Sequence, residues 1–209
     1  MIIQTEQLMA LGAATLGESG GDPMSSRIRA VWPGARLAAP AYSVRCTPGD
    51  NLAIHVAVAR APAGSVLAVD VGTERGRGYW GEVLTTAAEA RDITGLVIDG
   101  CVRDVAALEA HGFPVFSAGV ALAGATKDLP GSIGGWAEIG DVTVHTGDWL
   151  VGDADGVTVV PAAQLDDVLV AGQGRADHEH ALFDALRDGK TTVELLGLDP
   201  SPVENDGDE

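Results

Sequence analysis

Two short stretches hold residue types that could do chemistry together. Gly76-Arg77-Gly78-Tyr79-Trp80-Gly81 is a glycine loop running directly into Glu82. Asp99-Gly100-Cys101-Val102-Arg103-Asp104 follows an apolar run and sets an arginine beside an acid. A glycine loop that opens a helix presents free backbone N–H groups and the positive end of the helix dipole, which together seat a carboxylate. An arginine at a strand end can grip a carboxylate or stabilise an oxyanion, and an aspartate there can hold a hard divalent cation. The plainer reading is that Asp104 caps the next helix and Arg103 is solvated. The first stretch is formally G-x-G-x-x-G, but it fits a dinucleotide fingerprint poorly. Asp70 to Arg75 separate the preceding strand from the glycines, and the expected ribose-binding acid matches Asp99 only loosely.

These residues need a frame that brings them together. Val66 to Val69, Leu96 to Ile98 and Val115-Phe116 read as short buried strands, with helices over about 82–91 and 104–111 between them. That alternation predicts α/β layering with parallel strands. Parallel neighbours with short connections bring the two helix starts side by side, so Glu82 and Arg103-Asp104 converge. Elsewhere, 6–17 and 162–188 read as helices, 37–44 as a strand, and Asn51 as the cap of a helix reaching Arg60. Gly20 to Pro23 reads as a turn, Gly100 as a strand breaker, Gly119 to Gly135 as loop, and 137–160 as several short strands. The globular unit spans 1–198, and the acidic tail from 199 to 209 reads as disordered.

Other constellations weigh less. In His178-Glu179-His180 the two histidines are i and i+2 on a helix and face different sides, against a zinc site. His55 lies within a helix, where a structural imidazole is the plain reading and proton transfer the functional one. Only two lysines exist, Lys127 in a loop and Lys190 at a helix end, so metal activation is favoured over imine chemistry. Cys46 and Cys101 are too few for a disulfide framework. The net charge of -17, from 13 basic and 30 acidic residues, repels phosphate backbones and argues against nucleic acid as partner. With no signal peptide and no membrane-spanning run, the expectation is a cytoplasmic protein without membrane association.

Gly81-Glu82, twenty residues, then Arg103-Asp104 within Gly95-Leu-Val-Ile-Asp-Gly-Cys-Val-Arg-Asp resembles the RraA-like family. So do Pro48-Gly49-Asp50-Asn51, Gly152 to Val157 and the ending from Thr191 to Gly197. That family includes class II 4-hydroxy-4-methyl-2-oxoglutarate / 4-carboxy-4-hydroxy-2-oxoadipate aldolases and regulators of ribonuclease E activity. The resemblance implies an α/β, swivelling β/β/α single domain, assembled as homotrimers or homohexamers with sites between subunits. It implies that Asp104 ligates Mg2+ (or Mn2+ or another divalent cation), that Glu82 holds a metal-bound water, and that Arg103 binds the keto oxygen and stabilises a pyruvate enolate. The stretch Tyr79, Trp80, Gly81, Glu82 and Val83 would hold the substrate. His55 matches a position near the site, and Glu179 one that a neighbouring subunit contributes. Glu82 departs from the commoner Asp. The implied activity is metal-dependent cleavage of a small 2-keto acid, with oxaloacetate decarboxylation through the same enolate. The alternatives are a non-catalytic regulator binding a ribonuclease or helicase, and a pathway-specific enzyme using the same enolate chemistry.

Overall fold

The structure is a computed structural model and describes residues 2–203. In chain order the elements are α1 (Ile2–Gly17), β1 (Asp22–Pro23), β2 (Arg29–Ala30), β3 (Leu37–Cys46), α2 (Leu52–Arg60), β4 (Val66–Asp70), β5 (Gly78–Trp80), α3 (Glu82–Glu89) and β6 (Gly95–Val102). There follow α4 (Val105–His111), β7 (Val115–Val120), β8 (Gly131–Ile133), β9 (Trp136–Ile139), β10 (Val142–His145), β11 (Trp149–Asp153), β12 (Gly156–Val160), α5 (Leu165–Arg187) and α6 (Thr192–Leu196).

One sheet organises the molecule, in the order β1-β12-β11-β3-β4-β6-β7-β2. Its centre, β3-β4-β6-β7, is parallel, as the alternation of strands and helices predicts. These strands are buried on both faces and therefore read as continuous apolar runs. Successive side chains point to opposite faces. Leu67, Val69, Leu96 and Ile98 pack against α2, α3 and α4. Val66, Ala68 and Val97 pack on the other side beneath the hairpin of β9 and β10. Helix α1 and the start of α5 cover the antiparallel flank through Leu8, Leu16, Trp149 and Val168. No helix among the described residues is long and apolar enough to cross a membrane.

Three expectations change. Gly100 does not break its strand: β6 runs through it to Val102, and the pairing with β7 shifts register between Ile98 and Cys101. A Cβ at Gly100 would lie 2.8 Å from Val71 Cγ2 and 3.2 Å from Tyr79 Cδ2, so glycine serves close packing within a bulged strand. The loops over 72–81 and 119–135 contain the short strands β5 and β8, too brief to show a period. Asp22-Pro23, read as a turn, pairs at the sheet edge with β12. Of the segment read as a disordered tail, Asp199 accepts hydrogen bonds from Ser201; residues 204–209 lie outside the described residues.

Asp99 closes the question of the dinucleotide fingerprint. It is 2% exposed, and its carboxylate accepts from Arg27 Nε and Nη2 (3.0 and 2.8 Å), Arg75 Nε and Nη2 (2.8 and 3.2 Å) and the Gly140 amide (3.2 Å). Saturated by two guanidinium groups, it has no lone pair to spare for a ribose. Burial acts to raise its pKa, but the hydrogen bonds from Arg27 and Arg75 outweigh burial and hold it below the ordinary value. A carboxyl whose pKa falls on folding stabilises fully above its unfolded value of about 3.9 and loses that contribution as the pH drops below it. Asp99→Ala should cost roughly 2–3 kcal/mol, less than a fully buried pair because both guanidiniums reach solvent. Chemical denaturation at pH 7 and pH 3 checks this, and the gap between the two proteins should narrow at pH 3.

Candidate active site

Strands β5 and β6 run in parallel, and each is followed by a helix start. This brings Gly78 to Glu82 against Arg103-Asp104. Asp104 takes left-handed backbone angles, φ 59° and ψ 36°. Such a conformation costs a non-glycine residue about 1–3 kcal/mol, and aspartate tolerates it better than most. Asp104 stands at the N-cap of α4 but makes no side-chain cap bond. Its Oδ2 instead accepts the Glu82 amide at 3.1 Å and lies 3.8 Å from Arg103 Nε. The plain capping reading is thereby overturned: the carboxylate is turned across to the neighbouring helix start.

Glycines make that turn feasible. A Cβ on Gly81 would lie 2.3 Å from Asp104 Oδ2, and one on Gly78 would lie 2.6 Å from the Ala121 carbonyl oxygen and 3.2 Å from Arg103 Cδ. Gly76 has no such neighbour. Gly81 therefore admits the Arg103-Asp104 segment, and Gly78 admits the Ala121 carbonyl together with the Arg103 side chain.

The result is a cavity of about 230 Å3 whose walls include Gly81, Val83, Arg103 and Asp104 from this junction, and Asn51 and His55 from α2. Lys127, dismissed in the sequence as a Schiff-base candidate, lies in the same wall. Its loop is tied down by buried Asp50, whose Oδ2 accepts from Thr126 Oγ1 (2.7 Å), the Asp128 amide (2.6 Å) and the Leu129 amide (3.1 Å), while Oδ1 accepts from Leu52 (2.8 Å). Burial opposes ionisation of Asp50, yet these donors hold its pKa down at about 2. The His55 pKa is lowered, first by burial and then by the charge of Lys127, against a weaker pull from Asp50. Burial and Lys127 both favour its neutral form.

Tyr79 and Trp80 line the cavity, but their polar atoms turn into the core. The Tyr79 hydroxyl donates to the Glu74 carbonyl and accepts the Gly49 amide at 2.9 Å. Trp80 Nε1 donates to Thr85 Oγ1 at 2.7 Å, and its ring stacks on Phe113. Glu82 brings its amide to the site, while its carboxylate lies 3.7 Å from His111 Nε2. His111 is in turn held by Glu89 Oε2, 2.8 Å from Nδ1. Glu179 lies outside the cavity wall of its own chain and pairs with Arg175 at 3.0 Å.

A family model described as RraA-like, Aldolase/RraA, matches residues 13–159. This chain belongs to the RraA-like family. A relative from Halalkalibacterium halodurans, named "Putative 4-hydroxy-4-methyl-2-oxoglutarate aldolase", is 33% identical over 170 residues, 81% of each chain. An uncharacterized protein from Pseudomonas syringae pv. tomato superposes with a TM-score of 0.82 at 26% identity over 91% of each chain. The RNA-processing inhibitor RraA from Thermus thermophilis superposes at 0.65 and 23% identity, over 71% of this chain and 92% of that one, a likeness of fold.

Within this RraA-like chain, sequence spacing located Gly81, Arg103 and Asp104 correctly relative to one another. It missed Lys127 and Asn51. Lys127 stands far along the chain, and its loop is brought to the site by Asp50 and by the backbone bonds of Thr126 with Gly49 and Asn51. Asn51 stands at the N-cap of α2 as expected, but its side chain makes no cap bond and its Nδ2 donates to the Tyr79 carbonyl at 2.8 Å. Gly81→Ala should displace Asp104 and lower site-dependent activity by at least about tenfold, the effect of moving a reacting group by roughly 1 Å. Circular dichroism should show an unchanged fold beside that loss.

Proposed function

We propose that this RraA-like protein is a divalent-metal-dependent lyase that cleaves a small 4-hydroxy-2-keto acid to pyruvate and also decarboxylates oxaloacetate. The observation that carries this reading is Asp104, held in a strained conformation with its carboxylate turned away from its own helix and beside Arg103.

The donor set fits Mg2+ or a similar hard cation. Among the described residues no three His, Cys, Asp or Glu side chains converge on one point. That suits an ion that keeps most of its waters and takes one or two carboxylates, and not zinc. Asp104 would be the direct ligand; Glu82, whose exposed carboxylate lies beside His111, would turn from it to hold a water of the shell. When bound, the cation supplies Lewis-acid polarisation of the substrate's keto group.

The chain's own residues do the rest. The amides at the start of α3 seat the C1 carboxylate. Arg103, nearly half exposed and facing the cavity, binds the keto oxygen and takes up charge as the C3–C4 bond breaks. Lys127 attracts a distal carboxylate. As the C3–C4 bond breaks, the C4 hydroxyl loses its proton to water and C4 becomes the carbonyl of the second product, leaving a pyruvate enolate; loss of carbon dioxide from oxaloacetate leaves the same enolate, so one site serves both reactions. Protonation at C3 completes pyruvate. Protein stripped with EDTA should release pyruvate from oxaloacetate far more slowly than protein reloaded with Mg2+. Asp104→Ala should abolish turnover, and Arg103→Lys should reduce it about 10²–10³-fold. Equal rates with and without metal would contradict the reading. A stoichiometric ribonuclease or helicase partner recovered without keto-acid turnover would favour the regulatory alternative.

We further propose that a second copy completes the site with Glu179. Beyond Gly172, α5 and α6 bury no residue, and Phe183, Leu196 and Leu198 are exposed on this arm. Such an apolar arm is suited to lie on a neighbouring subunit of a homotrimer or homohexamer. Asp104→Ala and Glu179→Ala chains, each inactive alone, should recover part of the activity when co-refolded. No recovery in mixed oligomers confirmed by mass would count against a shared site.

A further inference from the structure

The start of α2 carries two polar atoms that the fold buries and leaves without a partner among the described residues: Asn51 Oδ1 and His55 Nε2. They stand four residues apart, about one helical turn, and both residues line the cavity that holds Arg103, Asp104 and Lys127. A buried polar atom without a partner loses its hydration and gains nothing in return, which destabilises the fold. Two such atoms in one wall point to a ligand group that satisfies them.

The chemistry of that group can be read from Asn51. The residue is 5% exposed. Its orientation is set because Nδ2 donates to the buried Tyr79 carbonyl, a role the amide oxygen cannot fill. Oδ1 can therefore only accept, and the ligand must donate to it. A carboxylate or ketone has no proton to give and would set oxygen against oxygen. An ammonium could donate, but Lys127 shares the wall and repels it. A hydroxyl donates its one proton to Asn51 Oδ1 and accepts from His55 Nε2–H in the tautomer that protonates this nitrogen.

We infer that Asn51 and His55 form a hydroxyl-recognising subsite that selects 4-hydroxy-2-keto acids over analogues lacking the hydroxyl. The inference rests on the lyase reading of the same site. It divides the cavity by chemistry: Arg103 and the α3 amides take the pyruvyl half, Lys127 takes a distal carboxylate, and the α2 wall reads the carbinol between them. The two proposed reactions then differ at this wall, since oxaloacetate carries no hydroxyl.

The test compares binding of 2-ketoglutarate with that of 4-hydroxy-2-ketoglutarate, together with the ratio of hydroxy-acid cleavage to oxaloacetate decarboxylation. Wild type should bind the hydroxylated acid at least about tenfold more tightly, because a site built to bond a hydroxyl rejects the analogue lacking it. Asn51→Ala and His55→Leu should each reduce that preference to about threefold or less and lower the rate ratio at least about tenfold. His55→Gln, which keeps a polar nitrogen near Nε2, should retain part of both. Asn51→Ala also frees the Tyr79 carbonyl, so His55→Leu carries the test if that variant does not fold. A preference that survives both variants, or a rate ratio that does not move, overturns the subsite. If wild type releases no pyruvate from either acid, the lyase reading fails, and the binding comparison still decides the subsite.

Discussion

The Asp104 carboxylate accepts the amide of Glu82 and not an amide of the helix that Asp104 begins. Much of the structure around the site follows from accommodating that one bond. Two parallel strands must set their following helices side by side. Gly81 must lack a side chain, because a Cβ there would meet the carboxylate at 2.3 Å. Asp104 must hold left-handed angles, which orient its side chain across the junction and not along α4. The strain is local, and the packing of β5 and β6 beneath it, with Tyr79, Trp80 and Val102 fully buried, sustains it. A carboxylate held this way has Oδ2 committed to the protein, on the Glu82 amide and beside Arg103.

The same logic explains how a strongly acidic chain can receive an anion. Its net charge of -17 is spread over the surface. Within the cavity wall the charged side chains are Arg103, Lys127 and Asp104, a balance reversed from that of the whole molecule. Asp50 contributes at one remove: buried, ionised and fully hydrogen-bonded, it anchors the loop that carries Lys127. Asp99 plays a comparable structural part by binding Arg27 and Arg75, keeping two of the chain's few cations in the frame and out of the site.

What the sequence made legible was whatever depends on local order. Buried parallel strands announce themselves as apolar runs, and the spacing from Gly81-Glu82 to Arg103-Asp104 reflects one helix, its turn and one strand. What stayed hidden depends on contacts between distant segments or on atoms within a side chain. Asn51 has the residue type of a helix cap, and only the position of the Tyr79 carbonyl shows that its amide is used elsewhere. Gly100 has the look of a breaker because its role, admitting Tyr79 and Val71, lies in three dimensions. Tyr79 and Trp80 sit in the right segment, yet their hydroxyl and indole nitrogen serve the core. The proposed part of Glu179 in a neighbouring copy's site lies beyond a single chain altogether.

The displaced Asp104 carboxylate is proposed to hold a divalent cation, and metal binding itself tests this without reference to any substrate. Mn2+ titrated into the metal-free protein and followed by electron paramagnetic resonance should reach about one bound ion per chain, and Asp104→Asn should abolish that binding while the fold is retained. Undiminished Mn2+ binding by a folded Asp104→Asn protein, or none by the wild type, would contradict the account.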